Sequence, residues 1–205
     1  MILASGSPQR RAILEQLGVA FQVVVTGVEE LEAGSPREVA VENARRKARA
    51  AAITSAPATA VGSEAVPLGL HGLEPETVLA VDTVVELDGN LYGKPVDAAD
   101  AAATMRALAG RSHRVISGLC VIQAEVERTA AAVTRVHFRP LDEAAISWYV
   151  ATDEWRGRAG GYAIQGRGAA LVERIEGDYL NVVGLPVATL IELLPSLLFP
   201  AISAG

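Results

Sequence analysis

Cysteine and histidine are nearly missing from this sequence, with one Cys and three His in 205 residues. Cys120 lies inside the apolar run 115–122 and has no partner for an internal disulfide, so its expected role is a small core residue. The histidines, at 71, 113 and 137, have no zinc-ligand spacing. Aromatic residues make up only 4%, so the core must be built from Ala, Val, Leu and Ile. Strong positive charge is also lacking. The net charge is −6, and no basic run exceeds Arg45-Arg46-Lys47, which disfavours nucleic acid or an anionic membrane as partner. No run approaches the ~20 apolar residues that span a bilayer. Met1 leads straight into an apolar strand with no leader-like stretch, so the expected protein is soluble and cytoplasmic. No Gly-x-Ser-x-Gly elbow and no Gly-Lys-Ser/Thr phosphate loop occurs, leaving serine hydrolase and P-loop chemistry unsupported.

What is present is half apolar residues, enough for one sizeable domain over residues 1–205. Residues 2–4 form a short strand ending in the turn Ser5-Gly6-Ser7-Pro8, and Ser7 is placed to cap a helix beginning at Pro8. That helix runs to Gly18. A strand is predicted over Phe21–Val25, then a helix from Pro36 to about Ile53. Residues 54–76, rich in Ala, Pro, Gly and Ser, are expected to be a loop insertion. Val78–Leu87 is a strand followed by the hairpin signal Asp88-Gly89-Asn90. Beyond it come a helix over Asp97–Leu108 and long neighbouring strands at His113–Gln123 and Arg128–Phe138. A short helix at Asp142–Val150, a Gly-dense loop at 157–168, a strand at Ala169–Ile175 and a helix at Pro186–Leu194 complete the pattern. Such a mixture implies an α/β fold with a mixed sheet.

Three places invite chemistry. The turn at residues 5–8, followed by Arg10 and Arg11, gathers backbone N–H groups, hydroxyls and guanidinium groups at one helix N-terminus. That suits a phosphate, although an ordinary capped turn has the same residues. Arg10 and Arg11 fall on different helix faces, and Arg10 is nearer the turn. Asp82 puts a carboxylate inside a run that should be buried, which requires a cation, a metal or hydrogen bonds. It is either a metal ligand or general base, or a cap for a neighbouring element. Lys94, on the rigid Gly93-Lys94-Pro95 turn, is either aimed at a ligand or solvated. Glu30 and Lys47 taken alone have only a surface reading. Gln165, among glycines, offers a donor and an acceptor that could read the edge of a base.

With these segments in order, the chain resembles the Maf family of nucleoside triphosphate pyrophosphatases, also called septum-formation-inhibitor proteins. The resemblance rests on Leu3-Ala4-Ser5-Gly6-Ser7-Pro8, Ala44-Arg45-Arg46-Lys47-Ala48, Asp82-Thr83-Val84-Val85, Gly93-Lys94-Pro95, Ile164-Gln165-Gly166 and Asn181-Val182-Val183-Gly184-Leu185-Pro186. It implies a two-lobed, mixed-sheet fold with a central cleft, akin to inosine triphosphatases, and a homodimer. By that resemblance Asp82 activates water, Glu30 joins it in holding a divalent metal (Mg²⁺ or Mn²⁺), and Lys94 belongs with this catalytic set at the triphosphate. Ser5, Arg10 and Lys47 also bind the triphosphate, while Thr83 and Gln165 match positions linked to substrate choice in members that prefer dTTP and UTP.

One position departs from the family pattern. Members acting on dTTP and UTP usually read Ser-Pro-Arg-Arg, and those acting on 7-methyl-GTP often carry an aromatic residue in the third place, where this chain has Gln9. Gln9 is expected to bind substrate at the base-proximal edge. The expected activity is hydrolysis of dTTP and UTP to the monophosphate and pyrophosphate. The rival expectations are a non-catalytic nucleotide-binding regulator of cell division, or a pyrophosphatase preferring 7-methyl-GTP or another base.

Overall fold

A computed structural model describes residues 1–55 and 77–198. Most of the expected 54–76 insertion therefore lies outside the described residues. Seven strands form one mixed sheet among the described residues. Its parallel end joins β1 (Ile2–Leu3), β2 (Gln22–Val23) and β3 (Val78–Leu87). From β3 the sheet continues antiparallel through β5 (Ser112–Gln123), β6 (Val126–Phe138) and β7 (Val172–Glu176), while β4 (Asn90–Tyr92) folds back on β3.

Alternation along β3 divides the core. Its even-numbered side chains Val78 and Ala80 meet helix α2 (Pro36–Ser55), whose Ala44, Ala48 and Ala51 form a small-residue stripe. That stripe lets the helix approach closely, and Gly118 on β5 completes the fit. A β-carbon there would lie 2.3–2.4 Å from the α2 backbone at Ala40 and Val41. The opposite face carries two clusters. At the parallel end Leu79 and Val81 pack with helix α1 (Pro8–Gln16) and helix α6 (Val187–Leu193). At the other end Val85 and Leu87 pack with α3 (Ala98–Leu108), α4 (Glu143–Val150), Trp155 and Tyr162. Thr83 falls between these two clusters.

Local chemistry explains the helix starts. Ser7 caps α1 by accepting from Arg10 N–H, Asp97 caps α3 through Asp100 N–H, and Asp142 caps α4 through Ala145 N–H. Two strands differ from the sequence expectation. β2 is shorter than Phe21–Val25, because it is an edge strand whose only neighbour, β1, is itself two residues long. Residues 169–171 belong to a 3₁₀ turn rather than to β7. Glu154 captures that turn, its carboxylate accepting from Arg167 N–H at 3.0 Å and Gly168 N–H at 3.2 Å. A short helix, α5 (Tyr179–Val183), was not anticipated; Asp178 caps it through Leu180 N–H at 2.7 Å. Among the described residues no helix is long and apolar enough to cross a membrane.

Candidate active site

The sheet itself opens the site. On one edge β3 pairs with β1 at Val78 and Leu79 and with β4 from Val85 onward, so residues 80–84 have no strand partner on that side among the described residues. Asp82 and Thr83 sit in this gap, facing opposite sides of the sheet. The cleft beside them has a volume of about 550 Å³ and is lined by Ser5, Gln9, Arg10, Glu30, Lys47, Asp82, Thr83, Lys94 and Gln165, but not by Arg11.

Asp82 is buried and engaged on both oxygens. Lys47 Nζ donates to Oδ1 at 2.6 Å, and Asn43 Nδ2 donates to Oδ2 at 3.2 Å. Asn43 and Lys47 are four residues apart on α2 and so share a face. Lys47 also pairs with Glu30 at 2.7 Å, leaving its ammonium between two carboxylates. Glu30 lies on an irregular segment that α2 holds in place. Asn43 accepts from Leu31 N–H at 2.7 Å and donates to Leu31 C=O at 3.1 Å, while Arg46 donates to Glu29 C=O at 3.2 Å. Lys47, on α2 itself, departs from the surface reading because its ammonium is drawn in to Asp82, whereas Glu30 stays exposed and is brought to Lys47 by the contacts of its neighbours with α2.

Asn43 was not singled out from the sequence. Its signal is weak, a lone amide among the alanines of α2 facing the sheet. Asn43→Ala strands the Leu31 backbone groups and one Asp82 oxygen, so it is expected to destabilise the protein by about 2–3 kcal/mol and to depress turnover as Glu30 loosens. Chemical denaturation alongside an activity assay measures both. An unchanged midpoint would mean that the Glu30 segment is held by other contacts.

Arg10 occupies the other flank. Its guanidinium donates to Gly184 C=O at 2.8 Å, Ser5 Oγ at 2.9 Å and Thr83 Oγ1 at 3.1 Å. Burial lowers its pKa from the ordinary arginine value, opposed by the negative charges of Asp82 and Glu30. Thr83 Oγ1 also shares a hydrogen bond with Ser117 Oγ across the β3–β5 ladder at 2.9 Å. Arg11, by contrast, is exposed. Lys94 and Gln165 are exposed and line the same cleft. Gln9 contacts Ser7 beside the helix start and Arg158, a second residue that the motifs did not single out.

Cations, a buried carboxylate and a capped helix start around one cleft are arranged for an anionic ligand. Over residues 1–197 the sequence matches the family of Maf-like proteins. The chain belongs to that family. Curated relatives with the same coverage include proteins named dTTP/UTP pyrophosphatase from Pyrococcus furiosus, 38% identical over 95% of this chain and 93% of that protein. The one from Deinococcus radiodurans is 43% identical over 95% and 91%, and that from Symbiobacterium thermophilum is 40% identical over 100% and 97%. The cleft of this Maf-like chain thus gathers its charged residues from segments that run from Arg10 to Arg158.

Proposed function

We infer that this chain hydrolyses dTTP and UTP between the α- and β-phosphates, releasing the monophosphate and pyrophosphate. The observation that supports this most is the Asp82–Lys47–Glu30 constellation at the open edge of β3, in a chain whose relatives are named for that activity. In the ligand-free arrangement Lys47 occupies Asp82 Oδ1. A triphosphate offers Lys47 a competing acceptor, which frees Oδ1 to take a proton from the attacking water. Asn43 keeps its hold on Oδ2, so the carboxylate stays oriented while it changes partner. Arg10 and Lys94 offset the charge of the phosphate chain.

The donor set suits a divalent cation. Glu30 and Asp82 direct oxygens at one point, now the Lys47 ammonium. Two carboxylates without a third acidic, histidine or cysteine ligand among the described residues fit a hard ion of the Mg²⁺ or Mn²⁺ kind, which Glu30 and Asp82 would hold. When bound there, such an ion stabilises charge developing at phosphorus. Thr83 and Gln165 select the base: the Gln165 amide can pair with both a carbonyl and an imide N–H, as uracil and thymine present. The substrate is a free nucleotide rather than nucleic acid, in keeping with the net charge of −6. The family resemblance supports a cytoplasmic homodimer.

A panel of nucleoside triphosphates, assayed with Mg²⁺ and then Mn²⁺ for pyrophosphate and orthophosphate, tests the reading. The expected result is pyrophosphate release, with dTTP and UTP turned over faster than purine nucleotides. Orthophosphate as the product, preference for 7-methyl-GTP, or binding without turnover would each overturn it.

A further inference from the structure

The Gly-dense loop sends Arg158 into the cleft, and its setting is built rather than loose. Gly157, Gly160 and Gly161 on either side of it all have positive φ, near 70°. The pair at 160–161 lies hard against its neighbours: a β-carbon at Gly160 would be 2.7 Å from Val85, and one at Gly161 2.9 Å from Pro95. Gly160 N–H also donates to Gly93 C=O at 2.9 Å. The loop is thereby clamped to β3 and to the turn that carries Lys94.

The Arg158 guanidinium is held at two edges by uncharged acceptors. Its Nε donates to Glu154 C=O at 2.8 Å. Its two terminal nitrogens donate to the Gln9 side-chain oxygen at 2.7 and 3.1 Å, with the Gln9 amide nitrogen donating to Ser7 Oγ at 3.0 Å. This amide assignment follows from the hydrogen-bond network, since the opposite one sets NH₂ against guanidinium donors.

The other cleft cations have partners. Lys47 is neutralised by Asp82 and Glu30, Arg156 pairs with Asp153 at 2.9 Å, and half-buried Arg10 is tied to Ser5, Thr83 and Gly184. Among the described residues Arg158 and Lys94 have no carboxylate partner at the cleft surface. An arginine in place of Gln9 would set two guanidinium groups against each other, whereas the amide supplies the acceptor that fixes one of them.

We propose that Arg158 binds the phosphate tail of the substrate and that Gln9 is its positioning residue, holding the guanidinium beside the Ser5-Gly6-Ser7 turn. This rests on the triphosphate reading above. It moves Gln9 from the base-proximal edge expected from the sequence to the phosphate side, and it explains the departure at that position: the cation comes from the loop rather than from α1.

Calorimetric binding of an α,β-methylene analogue of dTTP, with dTMP as the short-tailed comparison, tests the assignment. Arg158→Gln is expected to weaken the analogue by ~10–100-fold, the range for a hydrogen bond to a charged group, while dTMP binding changes little. Arg158→Lys restores part of the loss. Gln9→Ala weakens the analogue in the wild-type background but has no further effect beside Arg158→Gln, a coupling that a purely structural role does not give. Thermal melting checks each fold. Should Arg158→Gln not fold, Arg158→Lys with and without Gln9→Ala carries the same comparison.

Unchanged analogue binding in a folded Arg158 variant, equal weakening of analogue and dTMP, or strict additivity with Gln9→Ala would each overturn the assignment. Failure of the unaltered protein to bind the analogue overturns the triphosphate reading instead, so the two failures are distinct.

Discussion

Asp82→Asn is expected to fold and to lose turnover by ~10²–10⁴-fold, the usual contribution of a positioned general base, or more if a metal ligand is lost with it. The amide is nearly isosteric with the carboxylate. Asn43 Nδ2 can still donate to the substituted side chain's oxygen; the new NH₂ then faces the Lys47 ammonium, which turns to Glu30, its remaining ion-pair partner, so the adjustment is confined to one flexible side chain. What disappears is the oxygen able to accept a proton from water. Pyrophosphate release at saturating dTTP, measured beside circular dichroism and a thermal melt, separates lost chemistry from lost structure. A folded Asp82→Asn protein at full rate would remove Asp82 from the mechanism.

Gly118→Ala is expected to act through the fold and reach the site from behind. The new methyl group would meet the α2 main chain at 2.3–2.4 Å, and neither element can yield by rotating a side chain. Either α2 lifts from the sheet or β5 bends. Overpacking of this kind costs about 3 kcal/mol. The same displacement carries Asn43 and Lys47 away from Asp82, which is paired with Gly118 in the β3–β5 register. A shift near 1 Å in such a constellation can lower the rate by roughly 10²-fold. Denaturant midpoints and kcat therefore fall together. A protein with native stability and native kcat would show that α2 has slack the packing does not reveal.

Residues that break a local pattern are the ones legible from sequence. Asp82 interrupts a buried strand, Ser7 and Pro8 announce a helix start, and the mixed sheet follows from strand and helix periods. Gly118 is hidden because its requirement comes from a helix backbone, at Ala40 and Val41, that is remote in sequence. Asn43 is hidden because helical period marks a face without saying which irregular segment meets it. Glu30 has no local signal at all, since the contacts that fix it are to Leu31 and Glu29 backbone groups. Arg158 depends on three glycines with positive φ, and composition alone does not say where such a loop turns. The β7 start is misplaced for a similar reason: the Glu154 carboxylate rewards a 3₁₀ turn over the extended conformation that apolar residues 169–171 suggest.

The bond from Arg10 to the carbonyl of Gly184 joins residues 174 apart. During synthesis the turn at residues 5–8 is made well before the group that orients its arginine. At ~5–20 residues per second that interval is roughly 10–35 s. Through it, the nascent chain carries the helix start and its hydroxyls without a completed cleft. Stabilisation of the nascent chain by nucleotide is therefore expected to rise once translation has passed residue 184, which protease protection of stalled chains with and without dTTP would measure.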